Sequence, residues 1–94
     1  MNLKECRHKI DNIDKELFEL LSQRFKIVKN VVDYKIENNL EIYQKNREEE
    51  VFLKVESLCK NNNLNVEFGV ELITLIMDES KKLQKKMLKL SHKE

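Results

Sequence analysis

The chain has 94 residues, 37% of them charged, with 18 basic and 17 acidic side chains giving a net charge of +1. One glycine, no proline and no tryptophan exclude a turn-rich β fold, and the even charge excludes a global field for nucleic acid or an anionic membrane. A chain this small buries little surface, so pairing with a second copy is the ordinary route to stability when metals and disulfides are lacking.

The first predicted element is a helix over about residues 3 to 38. Leu3, Cys6, Ile10, Ile13, Leu17, Leu20, Leu21, Ile27, Val28, Val31 and Val32 recur at helical spacing, and nothing between them breaks a helix. About 36 residues at 1.5 Å rise make a rod of roughly 54 Å. Such a rod is longer than a small globule is wide, so part of its stripe needs a partner. The expectation is an intertwined homodimeric bundle.

Asn38 and Asn39 interrupt the pattern, as turn and cap residues do. A second helix is predicted over about 44 to 60, with Val51, Phe52, Val55, Leu58 and Cys59 on its stripe. Asn61-Asn62-Asn63 stops it, and Asn65 is the predicted N-cap of a third helix over about 66 to 90. That helix turns Val70, Ile73, Ile76, Met77, Met87 and Leu88 inward. The fold class is all-α, three helices in a single domain over 1–94, without internal repeats or a linker.

No apolar run approaches the roughly 18 residues needed to cross a bilayer. The N-terminus is charged from Lys4 onward and carries no signal-peptide core. Cys6 and Cys59 form no C-x-x-C pair, and His8 and His92 stand alone, so no metal is expected and both cysteines read as free thiols of a reducing compartment. A soluble, cytoplasmic protein is expected, with no membrane or nucleic-acid partner.

Function is sought where the apolar stripes are broken. On the first helix the seven-residue step from Ile10 through Leu17 leads to Arg24, and the step from Val28 leads to Lys35. Eleven positions turn a helix through about 1100°, so the two cations point within roughly 20° of each other, some ~16 Å apart along the axis. Either both snorkel to solvent or they flank a small anion. On the second helix Glu48 lies at core spacing before Val51, Phe52 and Val55, with Arg47 four before Val51; a solvated acidic first turn is the competing reading. On the third, Ser80 and Gln84 share a face among apolar residues, serving as polar glue with each other or with Arg24, or facing a ligand. Lys81, beside them, is assigned to solvent, with added charge at a pocket mouth as the alternative. A cationic excess on inner faces points to a small, dicarboxylate ligand. No Ser-His-Asp set, glycine-rich phosphate loop or metal-ligand cluster stands out in the sequence, so chemistry there proceeds by positioning and electrostatics.

Leu3-x-x-x-Arg7-x-x-Ile10-Asp11-x-x-Asp14-x-x-Leu17-x-x-Leu20-Leu21-x-x-Arg24, followed by Lys35, Arg47-Glu48 and Ser80-x-x-x-Gln84, resembles the all-α chorismate mutase family over residues 3 to 88. The resemblance implies a dimer whose long first helices pair, each site borrowing Arg7 from the partner chain. It implies rearrangement of chorismate to prephenate, without a cofactor, in aromatic amino-acid biosynthesis. Arg7 of the partner and Arg24 would neutralise a substrate carboxylate. Lys35 would contact a carboxylate and the ether oxygen, Gln84 would donate to that oxygen, Ser80 would help hold a carboxylate, and Glu48 would accept from the ring hydroxyl. Arg47 would extend the cationic wall or orient Glu48. The family often carries an acid where Gln44 stands, so at Gln44 the expected contact near the ring hydroxyl falls to the backbone N–H. Isochorismate–pyruvate lyases use a similar scaffold with a similar Arg, Lys and Gln set, though Glu48 and Ser80 favour the mutase. A non-catalytic helical dimer binding an aromatic-pathway metabolite is the reading from another class. The length leaves no room for a fused dehydratase, dehydrogenase or synthase, so a monofunctional chain is expected.

Overall fold

A computed structural model describes residues 1–91. Three helices follow one another: α1 (Leu3–Glu37), α2 (Lys45–Asn61) and α3 (Val66–Ser91). The predicted boundaries differ from these by a residue at most ends, and Gln44 is the N-cap of α2 rather than its first helical residue.

The ends are set by asparagines. Asn2 Oδ1 accepts from Glu5 N at 2.8 Å and caps α1, and Asn65 Oδ1 accepts from Phe68 N at 2.9 Å and caps α3, as its position predicts. At the C-terminus of α1, Asn39 takes φ 53°, Leu40 N donates to Lys35 O and Asn39 N donates to Ile36 O. The α2 terminus reaches the same positive-φ turn through Asn63 at φ 55°, with Leu64 N donating to Cys59 O. These are Schellman turns, and asparagine tolerates the left-handed conformation they need where glycine is absent.

Helix α3 packs against both α1 and α2, whereas α1 and α2 make no close backbone approach among the described residues. At Gly69, α3 lies directly against the side chains of α2. A Cβ built there would lie 2.2 Å from Cys59 Sγ and 3.4 Å from Val55 Cγ1, so the sole glycine of the chain marks where the helices come together. Val28 and Val32 from α1, Val51 and Cys59 from α2 and Met77 from α3 form the buried apolar core. Leu58, placed on the α2 stripe by spacing, is 58% exposed and lies off it.

The molecule measures 57 × 28 × 15 Å, its long dimension set by α1. From Arg7 to Leu20 every residue is exposed, including Ile10, Ile13, Leu17 and Leu20. These continue the same stripe that α3 covers further along. Burying each would contribute roughly 1.5–3 kcal/mol. Both cysteines are free, Cys59 buried and Cys6 partly so. No helix of the described residues is long and apolar enough to cross a membrane.

Candidate active site

The space that α1 and α2 leave between them, floored by α3, is a cavity of about 250 Å³. Its walls carry Arg24 and Lys35 from α1, Gln44, Arg47 and Glu48 from the start of α2, and Ser80, Lys81 and Gln84 from α3. Every residue assigned to a site from the sequence is thus brought together here, except Arg7. The remaining wall is apolar, with Val28, Val31, Val51 and Met77 among its members.

Ser80 and Gln84 are both 6% exposed, buried polar residues on the inner face of α3. Neither bonds the other. Arg24 Nη1 donates to Ser80 Oγ at 3.0 Å, and Ser80 Oγ donates to Ile76 O at 3.0 Å, one turn back. Ser80 therefore braces Arg24. Only one of the five guanidinium N–H groups is engaged there, which leaves the fork available to an anion.

Lys35 is held in a similar way. Its Nζ donates to Gln84 Oε1 at 2.8 Å and to the Ile42 carbonyl at 2.6 Å. An ammonium has three N–H groups, so one remains for a ligand. The first contact also settles the carboxamide: with Oε1 on Lys35, the Gln84 NH₂ is turned the other way as a second donor. Burial lowers the pKa of Lys35 below the ordinary lysine value, and the Glu48 carboxylate partly offsets that. Burial, followed by the charge of Arg47, lowers that of Arg24. Arginine does not lose its proton in proteins, so the cost of burying this charge, with the smaller repulsion from Arg47, stays in place until an anion offsets it.

Arg47 has two roles open to it from the sequence, extending the cationic wall or orienting Glu48; it lines the cavity, and its Nη1 bonds Glu50 Oε1 at 2.6 Å on the exposed side rather than Glu48. Lys81, assigned to solvent, is instead only 24% exposed and pairs with Glu48 Oε2 at 2.9 Å, which raises its pKa. The signal was available in the sequence, since position 81 is four beyond Met77 and three before Gln84 and so shares their face. Gln44 lines the cavity, but its Nε2 donates to Glu41 O at 2.8 Å.

Arg7 lies outside this cavity, on the exposed half of α1 with Leu3, Lys4, His8 and Asp11. Seventeen positions separate it from Arg24, roughly 26 Å of helix. Four cations line the cavity against one carboxylate, Glu48. The arrangement suits a small dianion, held by a fork and an ammonium with apolar contact between them.

Residues 6–85 match the family described as chorismate mutase type II. The chorismate mutase of Methanocaldococcus jannaschii is 30% identical over 86 residues, covering 92% of this chain and 87% of that protein. The bifunctional chorismate mutase/prephenate dehydratase of Buchnera aphidicola subsp. Schizaphis graminum is 41% identical over 87 residues, covering 93% of this chain. The chain spans 23% of that longer protein and 16% of the bifunctional relative from Aquifex aeolicus, which is 43% identical over 58 residues. The family match and the M. jannaschii relative both cover nearly the whole chain, and with them the helices that wall the cavity. The chain belongs to the type II chorismate mutase family.

Proposed function

We propose that this chain rearranges chorismate to prephenate in aromatic amino-acid biosynthesis, as a cytoplasmic homodimer whose sites each take Arg7 from the partner chain. The observation that carries the reading is the Lys35–Gln84 pair: Lys35 Nζ donates to Gln84 Oε1 at 2.8 Å, which holds an ammonium and a carboxamide together on the wall of a cationic cavity. Residues 1–94 act in this reading as a single mutase domain that needs no cofactor. The free state of both cysteines agrees with a reducing compartment.

The reaction is a unimolecular Claisen rearrangement. The ether C–O bond breaks as a C–C bond forms, through a compact chair, and no proton is transferred. Bond breaking runs ahead, so negative charge gathers on the ether oxygen. The remaining N–H of Lys35 and the NH₂ of Gln84 meet that charge where it develops, and so bind the transition state more tightly than the ground state. Arg24, braced by Ser80, holds a carboxylate together with Arg7 of the partner chain, which keeps the dianion in its reactive diaxial form. Ser80 lies beside the same carboxylate. Glu48 accepts from the ring hydroxyl, Arg47 adds to the cationic wall, and the backbone N–H of Gln44 closes the same end.

The direct test is to incubate the purified protein separately with chorismate and with isochorismate and identify the products. Rapid prephenate from chorismate is expected. Pyruvate and salicylate from isochorismate, with little prephenate, would move the assignment to the lyase.

The exposed apolar half of α1 and the distance of Arg7 from the cavity support the shared site. A mixture of Arg7→Ala and Lys35→Ala chains provides the test, since hybrid dimers place both substitutions in one site and leave the other intact. Each variant alone is expected to be inactive. The mixture should regain roughly a quarter of the wild-type rate if subunits exchange at random, half the dimers being hybrids with one intact site. No recovery, in mixtures shown to exchange, would mean that Arg7 serves its own chain or none.

A further inference from the structure

Glu48 is the single carboxylate among the lining residues of a cavity read as a dianion site, and it is already engaged. Lys81 Nζ lies 2.9 Å from Glu48 Oε2, 3.5 Å from Asp78 Oδ1 and 5.3 Å from the centroid of the Tyr43 ring. The three contacts differ in weight. Asp78 is 52% exposed and one turn away on the same helix, a pairing worth little in water. The Glu48 contact joins α2 to α3, and its side chains are 20% and 24% exposed. Tyr43, from the α1–α2 loop, presents its ring to the ammonium.

Lys81 thus has the Glu48 carboxylate as its main partner, with Asp78 and the Tyr43 ring face as lesser ones. It acts through Glu48. Without it, Glu48 would keep only the longer-range attraction of Lys35 beside an incoming dianion, because Arg47, the neighbouring cation on α2, bonds Glu50. Repulsion between Glu48 and the dianion acts on ground state and transition state alike.

The geometry points to Lys81 as a positioning residue: it pins Glu48 Oε2 to the cavity wall, offsets its charge, and leaves Oε1 for the hydroxyl of a dicarboxylate substrate. This role rests on the proposed reaction. It accounts for a cation on the inner face of α3, where the neighbouring Met77 is apolar.

The test compares Lys81→Met, Lys81→Arg, Glu48→Gln and the Lys81→Met/Glu48→Gln double variant with the wild type, in the full chain, on chorismate. Lys81→Met should raise KM roughly tenfold with kcat changed no more than about twofold, the pattern of lost uniform binding. Lys81→Arg should restore most of that loss. Glu48→Gln should cost less in the Lys81→Met background than alone, since it then removes an anion that has lost its main partner. A wild-type KM in Lys81→Met, or an equal cost of Glu48→Gln in both backgrounds, overturns the role. Should Lys81→Met not fold, as judged by circular dichroism, Lys81→Gln carries the same comparison. A wild type with no turnover overturns the reaction and this role with it; a wild type that turns over, with additive losses, overturns the role alone.

Discussion

Replacing Arg24 with alanine is expected to lower kcat/KM by at least roughly a thousandfold while leaving the helices intact. The size follows from what is lost: a pre-aimed fork for a substrate carboxylate, in a site whose rate comes from holding a reactive conformer, where such terms reach several kcal/mol. The fold should tolerate the change. Ser80 keeps its bond to Ile76 O, so no buried hydroxyl is orphaned, and a cation whose burial is unfavourable is removed. Initial rates of chorismate loss, with circular dichroism and thermal midpoint on the same preparation, give the result. An Arg24→Ala enzyme with more than about a tenth of the wild-type rate would remove the central anchor of the mechanism.

Gln84→Glu should turn a rate that is flat near neutral pH into one that rises toward acid. Gln84 donates at any pH. A carboxyl in its place donates to the ether oxygen only when protonated, and Lys35 Nζ, 2.8 Å from Gln84 Oε1, would hold it ionised. At neutral pH the variant loses a donor and gains a counter-ion that neutralises Lys35. A fall of at least about a hundredfold there is in keeping with removal of one oxyanion donor. Partial recovery should follow as the pH approaches the ordinary glutamate range of about 4.3. A variant with the wild-type profile would show that residue 84 does not touch the reacting oxygen. The wild type is expected to show an alkaline limb of its own, because burial lowers the pKa of Lys35 below 10.5. Between that lowered native value and the ordinary value, the unfolded chain binds the proton better than the folded one. Stability contributed by Lys35 should therefore rise with pH across that window, while activity should fall through it.

Much of this was legible in the sequence, because helices advertise themselves by period. The stripe on α1, the asparagine stops and the absence of turn residues set the three elements to within a residue or so. Arg24 and Lys35 were legible as a pair, since rotation along one helix is arithmetic. Their partners were legible only as alternatives. On spacing alone, Ser80 and Gln84 bond each other or Arg24, or face a ligand. That Arg24 bonds Ser80, and Lys35 bonds Gln84, depends on how α3 is rotated against α1, which no single helix encodes. The inner face of Lys81 was legible from Met77 and Gln84, but that Lys81, and not Arg47, meets Glu48 depends on inter-helix geometry. Gly69 gave no signal beyond its rarity, although it sets how closely α2 and α3 approach.

The bond from Lys35 to the Ile42 carbonyl has a consequence for how the enzyme can vary. A tetrahedral ammonium with two of its vectors tied has no rotation left, so the direction of the third is dictated by a loop and a carboxamide. The connection between α1 and α2 is therefore a ruler as well as a link. Lengthening or shortening it by a residue would re-aim a proton at the heart of the cavity without altering any side chain that lines it. With Lys35 in its proposed role, loop length, which folding thermodynamics tolerates easily, becomes a parameter of rate.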